Sequence, residues 1–392
     1  MHTSENSEPP LAGRKLVILY TNPDVLEGEE LKEITDSVKL MKKEIEDLGV
    51  KPVFVPVVDS IEEAVKDFDP QNTIIFNWCE QFKDIPNSFQ MIPPPLDKLG
   101  FIYTGSDAFH LELTQDKAKT KEVLIKNGVS TPVSKVYAKG GVILNGWNIF
   151  PAFVKPVYEH SSYGITTESI IDNSEQLKKQ VERITETYSG GALVEDFIDG
   201  PEYNVAIWGN NSYEVLPISA IDYSIFIDYH DRLCNYDAKW VPGSKHYQNI
   251  NPVCPPNIDS ELKKVIEIEA LKAYKALGCR DYGRIDIRVR DRIPYVLDVN
   301  TNPDVSVEGG FMRSARTADY KKVAEELNIL KELPAVAGAA AESSPSEKPS
   351  IEPITQNTGA TEQQNAKQEP LTDPNQLKKE PKVSDIVNPS AN

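Results

Sequence analysis

Strands and helices alternate through the first hundred residues, and that alternation limits the fold more than any other feature of the sequence. An apolar run, Lys15–Tyr20 (KLVILY), precedes a segment near Glu29–Leu48 in which Leu31, Ile34, Val38, Met41, Ile45 and Leu48 recur three or four residues apart. The first predicts a buried strand and the second one face of a helix, stopped by Gly49. Further strands are expected over Pro52–Val58, Thr73–Trp78 and Phe101–Thr104, with a short helix after Ser60. Units of this kind build a parallel sheet with helices on its faces. The first unit ends near Ser106.

The order then changes to a mixed α+β pattern. A Lys-rich helix is expected over Asp116–Gly128 and strands over Ala152–Lys155 and near Thr166–Ile170. A helix from Ser174 to about Tyr188 and a strand over Ala192–Glu195 follow. A hairpin is expected from Tyr203–Trp208 and Ser212–Leu216 around Gly209-Asn210-Asn211. The stretch 228–249 is polar, aromatic and without periodicity, so it reads as a long loop of the functional kind. An amphipathic helix spans Ser260–Leu277, two strands span Tyr282–Arg290 and Pro294–Val299, and helices reach about Leu333.

Residues 335–392 contain no Phe, Trp or Tyr, and only eight are Leu, Ile or Val. Such a segment cannot bury enough apolar surface to offset its ordering entropy, so a disordered tail is expected there. The first dozen residues read the same way.

The chain carries 42 Lys and Arg against 60 Asp and Glu, a formal charge of −18. That balance argues against nucleic-acid and anionic-membrane partners, which need exposed cations. It does not exclude a local cationic pocket for a small anion. No apolar run is long enough for a membrane span and the amino terminus has no signal-type apolar region, so a cytoplasmic setting is expected. Cys79, Cys234, Cys254 and Cys279 are scattered, with no zinc or disulfide pattern.

Four segments carry candidate chemistry. In residues 283–304 (GRIDIRVRDRIPYVLDVNTNPD), Asp298 and Asn300 lie two apart on one strand and share a face. Asp286 joins that face if the connecting turn has an odd number of residues. Two carboxylates and a carboxamide suit Mg²⁺; the same alternation also fits a solvated hairpin face. Arg284 points with Asp286 and could stabilise a developing oxyanion, or form a surface ion pair.

In residues 153–167, Lys155 ends a strand and Ser161, Ser162 and Gly164 make a small loop that could face phosphate or be a plain polar turn. His160 within it reads as a surface histidine. In residues 192–208, Glu195 and Glu202 flank a linker able to contact a nucleoside, or an ordinary acidic turn. Lys239, beside Trp240 in the 228–249 loop, and Lys117 read as solvated charges unless a loop closes over phosphate.

Taken in order, YTGS (103–106), DKAKTK (116–121), VKP (154–156), EHSSYG (159–164), VEDFIDGPEYNVAI (194–207), YDAKW (236–240) and CRDYGRIDIRV…YVLDVNTNPD (279–304) resemble the ATP-grasp superfamily and, within it, the D-alanine–D-alanine ligase family. The resemblance covers about residues 100–320. It implies an α/β and α+β architecture: a Rossmann-like N-terminal domain (13–106) before the ATP-grasp, a central subdomain (107–197), a C-terminal subdomain (198–334) and the tail (335–392).

The implied activity is ATP-dependent ligation of a carboxylate to an amine through an acylphosphate. The implied partners are an amino acid or small peptide and an amine, in a chain able to form a homodimer. The family pattern assigns Asp286, Asp298 and Asn300 to Mg²⁺ (or Mn²⁺). It places Lys117 and Lys155 at the ATP phosphates, Glu195 and Ile198 at adenine, Glu202 at ribose, and Ser161 and Ser162 in the phosphate-covering loop. Arg284, Lys239 and Ser162 are the implied catalytic groups.

The chain also departs from that pattern. Asp298 stands where Glu is usual, Trp240 where Tyr is usual in D-alanine enzymes, and Asp304 where a small residue is usual. The N-terminal Gly-Gly-x-Ser-x-Glu signature is replaced by YTNPDVLEGEE (20–30) and the His-Gly-rich segment by FNWCEQF (76–82). These changes point to altered carboxylate and amine substrates. A true D-alanine–D-alanine ligase and a catalytically silent nucleotide-binding protein are the alternatives.

Overall fold

A computed structural model describes residues 13–318, apart from residues 48, 84, 86, 140–145, 307 and 308. The amino-terminal dozen, the end of the last expected helices and the tail lie outside the described residues.

The first sheet is parallel, with strand order β2-β1-β3-β4, from β1 (Lys15–Thr21), β2 (Val53–Val57), β3 (Thr73–Trp78) and β4 (Ile102–Tyr103). Its helices are α1 (Gly28–Asp47), α2 (Ile61–Val65) and α3 (Pro93–Leu99). Val17, Leu19, Val57, Ile61, Ile75 and Leu96 are buried together beneath the sheet. The chain turns one way from β1 to β2 and the other way to β3, so the carboxyl ends of β1 and β3 flank a topological switch point. There Thr21 Oγ1 accepts from the backbone N–H groups of Glu80 (3.1 Å) and Gln81 (3.2 Å).

Helices α4 (Ala108–Gln115) and α5 (Lys117–Lys126) meet at Asp116, which caps α5 by accepting from Ala118 N and Lys119 N. A four-stranded antiparallel sheet follows: β5 (Ser134–Tyr137), β6 (Ala152–Pro156), β7 (Ile170–Ile171) and β8 (Ala192–Asp196), in the order β5-β8-β6-β7. Helix α6 (Ser174–Thr187) buries Leu177, Val181 and Ile184 against Val154 and Val194. The strand expected at Thr166–Ile170 shrinks to two residues. Ser169 Oγ accepts from Thr166 N at 3.0 Å and winds Thr167–Ser169 into a 3-10 turn.

The largest sheet holds β9 (Glu202–Trp208), β10 (Glu214–Val215), β11 (Ser219–Ile221), β12 (Pro252–Val253), β13 (Tyr282–Arg290) and β14 (Ile293–Asn300). Its order is β12-β11-β9-β13-β14, with β10 paired to β9, all antiparallel. Helix α9 (Ser260–Ala276) covers it, burying Ile266, Ala270 and Tyr274 on Val205, Ile285 and Val299.

The expected long loop at 228–249 is instead partly helical. It contains α7 (Tyr236–Trp240) and α8 (Lys245–Asn249), and α10 (Gly310–Thr317) follows the sheet. Asn235 accepts from Ala238 N and Ser244 Oγ from Tyr247 N, so each short helix starts on a capping side chain. Five residues are too few to display a period. Among the described residues no helix is long and apolar enough to cross a membrane.

Candidate active site

The acidic side of the site lies on the β13–β14 hairpin. Its turn, Asp291-Arg292, has two residues with positive φ (53° and 63°), so the odd-numbered turn that would align the carboxylates is not there. A register shift between Asp286 and Ile287 supplies the missing residue, pairing Asp286 with Asp298 and Arg284 with Asn300. All four side chains therefore share one face.

Asp286 accepts four hydrogen bonds. Arg284 grips it through Nε (2.8 Å) and Nη2 (2.9 Å), Asn204 donates at 2.8 Å and Asn300 at 3.0 Å. Burial opposes the Arg284 charge, but Asp286 outweighs it and keeps the guanidinium ionised. Asp298 accepts from Val299 N at 3.1 Å. Burial would raise its pKa; Lys117, Lys155, His160 and Arg284 together hold it below the usual carboxylate range.

The cationic side comes from α5 and the central sheet. The Asp116 cap sets Lys117 at the first helical position, with its backbone N–H bonded to Val157 O and its Nζ donating to Glu159 O. Burial lowers its pKa, and neighbouring Lys155 adds to that. Glu195, 2% exposed, lies between Lys121 Nζ (2.6 Å) and Lys155 Nζ (3.0 Å). Burial works against the Lys155 charge, yet Glu195 and Asp298 raise its pKa. Both Glu195 oxygens are thus committed to ammonium groups.

At the linker, Glu202 accepts from Tyr223 Oη and Arg288 Nε, each at 3.1 Å. Arg288 is 4% exposed, lies over the rings of Phe197 and Tyr223, and donates to the carbonyls of Ile198 and Arg232.

In the loop after β6, Ser161 and Ser162 both have positive φ (53° and 65°). Ser162 Oγ donates to Cys234 O (2.8 Å) and Trp240 Nε1 to Ser161 O (3.1 Å), tying this loop to α7. Lys239 is exposed on α7. Asp304 closes its own turn, accepting from Ser306 N (2.6 Å) and Ser306 Oγ (2.8 Å).

Arg284, Asp286, Asp298, Asn300, Lys117 and Lys155 come together. Ser161 and Ser162 lie on a loop tied to α7, which carries Lys239, and Glu195, Ile198 and Glu202 lie on the strand end and linker. Sequence reasoning missed Lys121, four residues after Lys117 and thus on the same helical face. It also missed Asn204 and Arg288, each two residues from a named acid on its strand, and read His160 as a surface residue.

No group of three or more His, Cys, Asp and Glu side chains is arranged to hold a metal among the described residues. Two carboxylates and a carboxamide remain, a donor set that fits Mg²⁺ when phosphates and waters complete its shell. The buried lysines beside it fit a polyphosphate.

The family model for the D-Ala–D-Ala ligase C-terminus matches residues 135–327. The D-alanine–D-alanine ligase of Carboxydothermus hydrogenoformans is 33% identical over 249 residues, covering 60% of this chain and 74% of that one. That of Desulforamulus reducens is 30% identical, covering 57% and 70%. The chain belongs to the D-alanine–D-alanine ligase-like family of ATP-grasp proteins. It is an ATP-dependent ligase that forms carbon–nitrogen bonds. An uncharacterized protein of Sinorhizobium fredii is 31% identical to this family member, covering 63% and 70%. The fold agrees with that of the Bacillus anthracis D-alanine–D-alanine ligase complexed with ATP (TM-score 0.59, 21% identity, covering 80% of this chain and 96% of that one).

Proposed function

We propose that this ligase phosphorylates the carboxylate of an amino acid or small peptide and joins it to an amine, with at least one substrate other than D-alanine. The observation that carries the reading is the convergence of Lys117, Lys155 and Arg284 on the face bearing Asp286, Asp298 and Asn300. Cations buried beside ionised carboxylates suit a metal-bound polyphosphate better than either charge alone.

In this reading Lys117 and Lys155 bind ATP phosphates, with Ser161, Ser162 and Lys239 covering them. Glu202 holds the ribose, and Ile198 lies at the adenine. Glu195 acts there through Lys155, since its own oxygens are taken. Asp286, Asp298 and Asn300 hold Mg²⁺ (or Mn²⁺), which would screen phosphate charge. The substrate carboxylate takes the γ-phosphoryl group as ADP leaves. The amine then displaces phosphate from the acyl carbon, while Arg284 stabilises the charge that develops on oxygen.

The first substrate would lie at the switch-point crevice, where YTNPDVLEGEE (20–30) and FNWCEQF (76–82) stand in place of the D-alanine signatures. Each sheet lies within one of the proposed domains 13–106, 107–197 and 198–334, which supports those boundaries. A cytoplasmic homodimer belongs to the same reading.

The test is a panel of amino acids and amines with Mg·ATP, following ADP and identifying products by mass. No stimulation by any acid–amine pair sinks the proposal. The relatives' names favour a second reading, D-alanine–D-alanine ligation, and efficient D-alanyl-D-alanine formation would put it first.

A further inference from the structure

His160 lies in the covering loop, yet its Nε2 is sealed from solvent and has no hydrogen-bond partner. Unpartnered buried polar atoms are rare in native proteins and call for a ligand or an explanation. The His160 backbone carbonyl accepts from Tyr163 N at 3.0 Å, and the ring meets Phe89 edge to face at 5.7 Å.

The charges felt by the ring are Lys117, Asp298 and Lys239, from α5, β14 and α7. These belong to three separate elements. A group among two ammoniums and a buried carboxylate that also satisfies Nε2 must be anionic, rich in oxygen and able to share a cation with Asp298. A terminal phosphoryl group meets all three conditions. Burial first, then Lys117, pushes the imidazole pKa down to about 3, so the ring is neutral and one nitrogen carries a proton to donate.

We propose that His160 is a substrate-contacting residue whose Nε2–H donates to an oxygen of the γ-phosphoryl group of bound ATP. The inference rests on the ATP site proposed above. It adds a neutral donor to the cations there, which orients the phosphoryl group without strengthening its hold on the charge after transfer.

The experiment titrates wild-type protein, His160→Phe and His160→Gln with Mg·AMPPNP and with Mg·ADP in a calorimeter. His160→Phe should weaken AMPPNP binding about 10-fold and leave ADP binding within about twofold, because only the former has a γ-phosphoryl group. His160→Gln, which keeps a terminal N–H, should recover most of the loss. Equal weakening of both nucleotides, or of neither, by His160→Phe overturns the proposal while leaving the ATP site intact. Wild-type protein that binds neither nucleotide overturns the ATP site and this contact with it.

Wild-type protein with ¹⁵N-labelled histidine gives a readout independent of the folding of His160→Phe. The His160 Nε2 resonance, assigned by its loss in His160→Gln, should move with AMPPNP and stay with ADP. A resonance that moves equally with both overturns the contact.

Discussion

Asp286 stands directly opposite Asp298, although the two-residue turn that joins their strands would by itself put Leu297 there. The bulge takes up one residue and turns Asp298 to the face shared by Arg284 and Asn300. Asp298→Ala removes that carboxylate and leaves Asp286 with its own hydrogen bonds. Calorimetry with Mg·ATP should then read a loss of about 100-fold in affinity, the upper end for disturbed metal ligation. Unchanged affinity in a folded variant would mean that the two carboxylates do not act together.

Arg284 holds Asp286 with two parallel hydrogen bonds, a geometry that lysine cannot copy. Both Arg284→Ala and Arg284→Lys should lower kcat by about 10²–10³ while nucleotide binding stays within a few-fold. Parallel losses of binding and turnover would assign Arg284 to ground-state binding of ATP.

The Lys121–Glu195–Lys155 cluster is sealed from water, so its charges compensate one another or nothing. Glu195→Gln leaves two ammoniums facing a neutral amide and should cost about 3–5 kcal/mol of stability. Denaturant unfolding measures it. A loss below about 1 kcal/mol would mean that water enters the cluster in solution.

His230 bridges Asp228 (Nδ1, 2.7 Å) and Asp172 (Nε2, 3.1 Å), while Tyr229 stacks on its ring and donates to Asp172. Lys245 also bears on Asp228. Burial disfavours the imidazolium, but the two carboxylates prevail and raise the His230 pKa above 6.5. A raised pKa in the folded state stabilises fully below the unfolded value and loses that stabilisation as pH rises through the folded one. Hydrogen exchange of residues 228–232, corrected for its intrinsic rate, should therefore be faster at about pH 8 than at about pH 6. His230→Gln should abolish the difference.

Long periodic segments were legible in the sequence. The spacing of Leu31 through Ile45 marks α1, and the apolar run Thr73–Trp78 is a strand to the residue. Helices α7 and α8 were not legible, because their capping side chains act over three residues and leave no period. The alignment of Asp286 with Asp298 depends on a bulge that no alternation rule shows. Lys121 and His160 became visible only through burial. A lysine in DKAKTK reads as solvated until Glu195 is found against it, and a histidine beside two serines reads as surface until its Nε2 is found enclosed.

The central claim is that a carboxylate of this ligase's substrate takes phosphate from ATP before an amine arrives. An amino-acid mixture labelled with ¹⁸O in its carboxylates, incubated with Mg·ATP, amines and the purified chain, tests it directly through the mass of the phosphate released. The account requires one ¹⁸O in each phosphate formed with product, carried over when the amine displaces the phosphoryl oxygen. Product formed alongside unlabelled phosphate would contradict it.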